Sequence, residues 1–563
     1  MAKSAYSFKL ITLVILVSFI VLHSCKEASK AKEDPVVELW TPYNDSSEVA
    51  ANADNEKIRL RYKFIQSKVL DKNEVFVPLY AEVSKFTKES YETMKPLVLE
   101  QDIPTIQRHI KNRKFSYEDL VLFFLHRIYK YELPNQKTLN TVLALNPKVL
   151  EEAQKLDATA EGHHSIYGMP ILLKDNIGTK EMKTTAGSIA LIDNHTDDAF
   201  IVKRLKEKGA LILGKVNLSE WANYLCDGCP NGQSAVGGQT LNPYGRRVFD
   251  TGGSSAGSGT SIAANYAIGA VGTETSGSIL SPSSQNSIVG MKPTIGLLSR
   301  TGIVPISSTL DTPGPMTKNV IDNAIILDAM VGFDEQDSRS IQNVKAINLN
   351  DLENTSLKGR RLGAFKKYMD SDSIYKATIT KIKAAGATII EFEPPKVTFE
   401  GFLSILNLDM RNDLPKYLST QVKNKDAIKV ESVKDLVAFN RQDSLVRIPY
   451  GQARFSGVLS DSTSAEELKQ IKKRLKSTGR NYFDTPMQRH RLDAVLSINN
   501  YDAGVAAVAE YPALTVPMGY KRSGEPIGIT FIGKQFQEAT LYELSSGFEA
   551  LTQARRMPED YVN

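Results

Sequence analysis

Residues 252–282 read GGSSAGSGTSIAANYAIGAVGTETSGSILSP, a stretch with two segments rich in glycine and serine. Ser254 lies in the first segment and Ser278 in the second. About eighty residues upstream, the apolar residues 171–173 lead directly into Lys174. A serine hydroxyl is a weak nucleophile at neutral pH and needs a base within hydrogen-bonding reach. A lysine can be that base where burial favours its neutral form. These residues therefore indicate a hydrolytic site built from two serines and one lysine.

The glycines of this stretch support the same chemistry. Gly252 and Gly253 permit backbone angles that other residues avoid. The sequence TSGS at 275–278 can turn successive backbone N–H groups toward one point, and such an arrangement binds an anion. An attacked amide becomes an oxyanion. On these residues alone, an ordinary Gly/Ser loop between two elements is the alternative interpretation.

Together these segments resemble the amidase signature family. The resemblance rests on LLKDNI at 172–177, GGSSAGS at 252–258 and GTETSGSI at 272–279. Other stretches are also similar to the family: TTAGS at 184–188, GKVNLSEW at 214–221, GQTLNPY at 238–244, GMKPT at 290–294, DTPGPM at 311–316 and YPALTVP at 511–517. The resemblance covers residues 96–558 and implies an α/β fold, with a large twisted mixed β-sheet flanked by helices.

The resemblance also implies a role for each site residue. Ser278 is the nucleophile, Ser254 is a bridging serine preceded by a cis peptide bond, and Lys174 is the base that acts through Ser254. Ser255 supports this network. The oxyanion hole consists of the backbone N–H groups of Thr275, Ser276, Gly277 and Ser278. The implied reaction cleaves a carboxamide to a carboxylate and ammonia or an amine, through an acyl-enzyme on Ser278.

Two departures from the family pattern bear on the substrate. This chain has Leu280 where many members have arginine, and Ser276 where many have glycine or aspartate. The GTET form with Glu274, and NGQS at 231–234, are most similar to the peptide-amidase branch. The substrate is expected to be a small-molecule or peptide amide, and the acyl group stays open because pocket shape sets specificity.

Three other functions compete with this interpretation. Residues 253–257 match G-x-S-x-G, so an α/β-hydrolase would use Ser255 as nucleophile and require a later histidine. Only His490 follows it, within a polar stretch that looks helical. A non-catalytic binding protein on the same scaffold is the second alternative. The third is a glutamine-dependent transamidase with partner subunits and tRNA.

The N-terminus resembles an export signal. Lys3 and Lys9 precede the apolar residues 10–22, a run too short for an ordinary membrane span. LHSC at 22–25 resembles a bacterial lipobox. We therefore expect a lipoprotein signal peptide at 1–24, lipidation at Cys25 and a tether with an accessory extension over 25–95. The protein would then be an exported cell-envelope lipoprotein, held to a membrane by its lipid; an uncleaved anchor helix is the alternative.

Charge, motifs and cysteine content indicate which partners and cofactors to expect. The formal net charge is +5 and the lysines are scattered, so nucleic acid is not an expected partner. No metal-binding motif occurs, and neither a metal nor another cofactor is expected. Besides Cys25, the cysteines are Cys226 and Cys229. A local disulfide between them is possible in an oxidising compartment, but we expect two thiols near the substrate channel. The oligomeric state stays open.

Local patterns predict several elements. Ser116 and Asp119 form a capping box that would open an amphipathic helix. A helix is predicted over 198–208 and a buried strand over 210–213. Residues 58–64 alternate like a strand, and 74–83 form another predicted element. Three polar stretches are predicted to line the substrate pocket, with ordinary polar loops as the alternative: 409–412, 449–452 and 497–500.

Overall fold

The computed structural model of the chain describes residues 37–159, 164–342, 348–352 and 355–562. Residues 1–39 and 40–563 form two separate units, and the features below belong to the second. The predicted signal peptide and its lipidation site at Cys25 lie outside the described residues. The predicted boundaries between signal, extension and catalytic domain stay predictions.

The strands of the described residues are β1 Val142–Leu145, β2 Pro170–Lys174, β3 Leu211–Val216, β4 Gln233–Ser234, β5 Gly238–Gln239, β6 Gly269–Glu274, β7 Val289–Lys292, β8 Thr312–Thr317, β9 Arg361–Phe365, β10 Thr388–Phe392, β11 Ala494–Ile498, β12 Ala513–Tyr520 and β13 Pro526–Ile532. Eleven of these described strands form one sheet in the order β1-β3-β2-β6-β8-β7-β12-β13-β11-β9-β10, and β4 pairs with β5. The sheet is mixed, since β2 is parallel to β3 and β6 whereas β8 is antiparallel to β6. The predicted fold, a large mixed sheet flanked by helices, is confirmed.

The helices of the described residues flank this sheet. They are Ser46–Ala50, Lys72–Val83, Lys88–Val98, Ile103–Lys111, Tyr117–Glu132, Val149–Ala158, Phe200–Glu207, Glu220–Asn223, Ala256–Ala263, Leu280–Gln285, Val320–Met330, Lys366–Ser371, Ser373–Ala384, Phe402–Thr420, Val433–Arg441, Ser444–Arg447, Ala453–Ser460, Ala465–His490, Ala503–Ala509 and Glu538–Thr552. Short 3-10 turns occupy Ile58–Leu60, Ile189–Leu191, Leu349–Leu352, Lys425–Ala427 and Glu559–Tyr561. Within the described part of the chain, no helix has both the length and the apolar character needed to cross a bilayer.

Most of the locally predicted elements form. The Ser116 hydroxyl accepts the Asp119 N–H at 3.0 Å, and the Asp119 carboxylate accepts the Ser116 N–H at 2.9 Å, which completes the predicted capping box. The helix predicted over 198–208 spans Phe200–Glu207, and the strand predicted over 210–213 is β3. The element predicted over 74–83 is the helix Lys72–Val83.

The strand predicted over 58–64 is wrong. Residues Ile58–Leu60 form a 3-10 turn, and residues 61–64 belong to no strand. Its backbone groups bond to side chains instead: the Lys63 N–H donates to the Tyr450 hydroxyl at 2.6 Å and the Ile65 N–H to Asp45 at 2.8 Å. The alternating pattern arises because one side of this segment is buried on the core while Ile58 is exposed.

One apolar cluster of buried residues lies outside the strands of the sheet. It is built mainly from the helices Phe402–Thr420, Val433–Arg441 and Ala453–Ser460, which pack around Trp221 and the loop containing Ile306. Trp221 lies in a turn with left-handed backbone angles, φ 52°, followed by Ala222 at φ 54°. This helical layer forms one wall of the site described below.

The sheet topology sets the position of the site. Because β2 and β6 are parallel neighbours, with Leu173 opposite Val271, their carboxyl ends lie at the same edge of the sheet. Lys174 ends β2 and Glu274 ends β6. Both strands are fully buried. Residues 275–278 therefore emerge beside Lys174, as is usual for ligand sites at the carboxyl ends of parallel strands.

The helix Ala256–Ala263 consists of small residues apart from Ile262, is buried throughout and packs on β6 and β2. Gly257→Ala is expected to destabilise the protein by about 1–3 kcal/mol, because overpacking forces backbone shifts. The added Cβ would lie 2.4 Å from the Asn217 carbonyl oxygen. Urea denaturation of the two proteins measures the difference.

Gly457→Ala is the matched control, since it also lies inside a helix but the nearest atom to its added Cβ is 3.8 Å away. Alanine favours helix by up to about 1 kcal/mol relative to glycine, so this variant should be neutral or more stable. Equal losses in the two variants would contradict the packing argument.

Candidate active site

A buried lysine and a buried serine form the centre of the site. The Lys174 Nζ lies 2.7 Å from the Ser254 Oγ, 2.8 Å from the Thr273 Oγ1 and 3.1 Å from the Thr273 carbonyl oxygen. Both Lys174 and Ser254 have no exposed surface. The peptide bond between Gly253 and Ser254 is cis, as the family resemblance implies. The structure thus brings together two residues that are 80 positions apart in the sequence.

The protonation of Lys174 follows from its surroundings. No carboxylate of the described residues forms an ion pair with its amine, whose neighbours are hydroxyl and carbonyl oxygens. Burial lowers the pKa of Lys174 to about 7, although the negative charges of Asp311 and Glu274 oppose this shift. A large fraction of the amine is therefore neutral near pH 7 and can accept a proton.

The glycine pair before Ser254 is required by close packing. Gly252 has φ +65°, and a Cβ there would lie 2.7 Å from the backbone of Pro282. A Cβ on Gly253 would lie 2.6 Å from the Asn231 Oδ1 and 2.7 Å from the Ser219 Oγ. Ser219 also donates its N–H to the Ser254 carbonyl oxygen at 3.0 Å. The turn around the cis bond is thus held on several sides.

Ser278 lies beside the first serine segment. Its carbonyl oxygen accepts the Ser255 N–H at 3.1 Å, which places the two segments side by side. Unlike Ser254, Ser278 is partly exposed. Ser255 faces β6, where its hydroxyl donates to the Thr273 carbonyl oxygen at 3.1 Å and accepts the Thr273 N–H at 3.2 Å. Ser255 therefore ties the serine turn to the strand behind Lys174.

Residues 275–278 form a loop between β6 and the helix Leu280–Gln285. Gly277 has φ +97°. The buried Glu274 carboxylate accepts the N–H groups of Ile279 at 2.7 Å and Leu280 at 3.0 Å, and it also interacts with the Gly277 N–H. Among the described residues, the structure assigns no acceptor to the N–H groups of Thr275, Ser276 and Ser278. The loop can therefore bind an anion.

Sequence reasoning missed three residues that shape this site. Asn176 donates to the Thr273 Oγ1 at 3.0 Å, next to the Lys174 amine. Glu274 holds the turn after Ser278. Asp311 accepts the Thr275 hydroxyl at 2.6 Å. All three lie inside segments that the family resemblance had already quoted, but only the strand pairing shows which of their side chains face the lysine and the loop.

A cavity of about 290 Å³ opens next to these residues. It reaches the site at Asn176, Thr273 and Thr275, and its walls come from the loop at 300–308 and the helix Phe402–Thr420.

Of the stretches predicted to line the substrate pocket, 497–500 lies against the 275–278 loop, since the Asn500 Nδ2 is 3.0 Å from where a Gly277 Cβ would be. Asp409 bonds to the cavity residue Ser307 at 2.5 Å.

The stretch 449–452 is not part of this cavity, contrary to the prediction. The Pro449 carbonyl oxygen accepts the Lys63 Nζ at 2.6 Å, and the Tyr450 hydroxyl accepts the Lys63 N–H. The Gln452 side chain is buried against Asn440. This polar stretch therefore serves contacts between the helical layer and the N-terminal segment.

The structure gives no support to a site made of Ser255 and His490. His490 ends the helix Ala465–His490, where its carbonyl oxygen accepts the Arg361 guanidinium at 3.0 and 3.1 Å. Arg361 begins β9, whereas Ser255 bonds to β6. Six strand steps separate β6 from β9 in the sheet, which is roughly 29 Å at ~4.8 Å per step.

The expectation of two thiols at Cys226 and Cys229 is wrong, because the two residues are joined as a disulfide with their Cα atoms 5.9 Å apart. Gly228 between them has φ +71°, which allows the tight turn that this spacing needs. The disulfide does lie near the site, in a small pocket with Ser219.

Within the described ranges, no group of three or more His, Cys, Asp or Glu is placed to hold a metal ion.

Comparisons with known proteins show the family and the fold of the chain. The family model for Amidase matches residues 119–542. A probable amidase of Arabidopsis thaliana is 35% identical over 483 residues, covering 82% of this chain and 92% of the plant protein. The structure of an amidase family protein from Bacillus anthracis has a TM-score of 0.83 and 36% identity, covering 88% of this chain and 100% of that chain. The structure of a peptide amidase from Stenotrophomonas maltophilia has a TM-score of 0.77 and 34% identity, with 82% and 99% coverage.

Two buried lysines on neighbouring strands allow a test of the site's electrostatics. The Lys215 Nζ is paired with the Asp175 carboxylate at 3.1 Å, whereas Lys174 has only neutral partners. Lys215→Met should cost about 3–5 kcal/mol of unfolding free energy, because it leaves a buried carboxylate unpaired.

Lys174→Met should cost at least about 2 kcal/mol less than Lys215→Met, since it removes an amine that burial already destabilises. Urea titrations of both variants and the wild type measure the difference. Equal losses would mean that the Lys174 amine contributes as much to stability as a paired one.

Proposed function

Because the chain belongs to the amidase family and is an amide hydrolase, we propose that it cleaves carboxamides through an acyl-enzyme on Ser278, with Ser254 and Lys174 completing a Ser-Ser-Lys triad. The single observation that carries the proposal is the 2.7 Å contact between the Lys174 Nζ and the Ser254 Oγ, fully buried and next to a cis peptide bond. The adjacent position of the partly exposed Ser278 supports it.

In the first half-reaction, the neutral Lys174 amine accepts the Ser254 hydroxyl proton, and Ser254 takes the proton of Ser278. The Ser278 Oγ then forms a bond to the carbonyl carbon, and the carbonyl oxygen becomes an oxyanion. We assign its stabilisation to the N–H groups of residues 275–278. The Gly277 N–H is shared with the Glu274 carboxylate, so the principal donors are those of Thr275, Ser276 and Ser278.

In the second half, the C–N bond breaks as the proton returns from Lys174 through Ser254 to the leaving nitrogen. Ammonia or an amine departs and leaves the acyl group on Ser278. Water then attacks the ester, giving its proton along the same route, and the Ser278 oxygen leaves and regains its proton. The products are a carboxylate and free enzyme, with no other reactant required.

The substrate class is proposed from the cavity and one relative. The peptide amidase of Stenotrophomonas maltophilia is 34% identical over nearly its whole chain. A cavity of about 290 Å³ beside Thr275 can hold an acyl group of one or two residues. We propose that amides of amino acids and short peptides are the first substrates to examine, with simple carboxamides as the comparison.

The triad is tested by ammonia release from such a panel, using the protein without residues 1–25. Ser278→Ala and Lys174→Ala should each lower kcat by at least about 10³-fold, because each removes the nucleophile or its base. His490→Ala is the control and should keep wild-type activity. Activity that survives Ser278→Ala but not His490→Ala would overturn the mechanism.

The pH dependence of kcat/KM tests the role of Lys174. The amine acts only when neutral, and its pKa is lowered to about 7. Activity should therefore be low in acid and rise tenfold per unit until the pH passes about 7, then level off. A rate that already levels off near pH 4–5 would assign the base to a carboxylate instead.

We also propose that the protein is exported as a lipoprotein. The support is the apolar run at 10–22 followed by Cys25, and the Cys226–Cys229 disulfide fits an oxidising compartment. In a bacterial host, Cys25→Ser should abolish labelling by a radioactive fatty acid and release the protein from the membrane fraction. Membrane retention of the unlabelled variant would indicate an uncleaved anchor helix.

A further inference from the structure

Asp311 lies where the cavity meets the 275–278 loop. It directly precedes β8, which is antiparallel to β6 with Thr312 opposite Glu274. This register places Asp311 beside Thr275, the first residue after β6. Its carboxylate lines the cavity and is otherwise enclosed by protein. Asp311 thus contacts both the substrate cavity and the segment that carries Ser278.

Both oxygens of Asp311 are used, and each holds a different part of the site. The Oδ1 accepts the Thr275 hydroxyl at 2.6 Å. The Oδ2 accepts the N–H groups of Ile306 and Ser307, each at 2.8 Å. Ile306 and Ser307 belong to the cavity wall. One carboxylate therefore fixes the position of the 275–278 loop relative to the wall of the cavity.

The charge of Asp311 also reaches Lys174. Of the charges that oppose the effect of burial on the Lys174 amine, that of Asp311 is the largest, and Glu274 supplies the other. Glu274 itself faces Lys292 and the backbone N–H groups of its own loop. The cation that interacts electrostatically with Asp311 is Arg300. The Arg300 guanidinium donates a hydrogen bond to Asp337 at 2.8 Å. Burial raises the pKa of Asp311 to about 6, which is still below that of Lys174, so the Asp311 charge is present at the pH where the lysine titrates.

We propose that Asp311 is a positioning residue of the reaction, acting through Thr275 on the oxyanion-binding loop and through its charge on the protonation of Lys174. This inference rests on the proposed Ser-Ser-Lys function. It differs from a purely structural role for a loop carboxylate, because a structural role would not change the pH at which the enzyme becomes active.

The experiment compares kcat/KM against pH for the wild type and Asp311→Asn on the best substrate of the panel. Removing the negative charge lowers the pKa of Lys174, so the acid limb of the profile should move to lower pH by about 1 unit. The kcat on the plateau should fall about tenfold to a hundredfold while KM changes little, because the loop loses its anchor.

Two further variants separate the charge from the hydrogen bond. Thr275→Val removes the hydroxyl but keeps the carboxylate, so kcat should fall while the acid limb stays in place. Thr275→Ser restores the hydroxyl and should restore kcat. Asp413→Asn removes another carboxylate of the same cavity, one that acts neither on Thr275 nor on Lys174. Its acid limb should match that of the wild type, whatever happens to KM.

An acid limb that stays in place in a folded Asp311→Asn protein, as judged by its circular dichroism melt, overturns the charge effect. Equal kcat in Thr275→Val and the wild type overturns the hydrogen-bond effect, even if Asp311→Asn does not fold. The proposed function is judged separately: it fails if Ser278→Ala is active, whereas this inference alone fails if Ser278→Ala is inactive and these profiles do not differ.

Discussion

The site depends on one amine that is held out of water without a carboxylate bonded to it. Burying an ammonium ion is costly, so the enclosure of Lys174 favours the neutral form. The adjacent strand shows the alternative arrangement, since Lys215 is equally buried but bonded to Asp175. Burial lowers the pKa of both lysines, but only Lys215 has a carboxylate bonded to its amine. The strand that carries Lys174 is entirely buried, and this burial is what keeps part of the amine neutral and able to accept a proton.

Close backbone packing gives the amine its partner. The Ser254 hydroxyl contacts the Lys174 amine, and there is no room for side chains at the two glycines before Ser254. The helix that follows is made mostly of small residues and packs on β2 and β6. Sequence positions far apart therefore meet because small residues allow two backbones to come together, which explains why the segment is so rich in glycine and serine.

The sequence predicts these parts of the site to different degrees. Lys174 and the two serines lie in short local motifs that the sequence shows directly. Lys174 is at the end of β2, and Ser278 follows the end of β6. The contact between Thr275 and Asp311 joins residues 36 positions apart. It depends on the antiparallel pairing of β6 and β8, which no local pattern encodes. Local patterns also misled at 58–64, where alternation reflects one buried side of an irregular segment, and at Cys226 and Cys229, where a glycine turn brings the sulfurs together.

The two carboxylates near Lys174 explain why its basicity suits the reaction. Burial alone would lower the pKa of Lys174 further and leave a weaker base. Glu274 and Asp311 act against that effect, and the pKa stays at about 7. A general base is most effective when its pKa is close to the working pH. Each carboxylate also holds one side of the 275–278 loop, through backbone N–H groups in one case and Thr275 in the other. The same two groups therefore fix the geometry of the loop and the proton affinity of the base behind it.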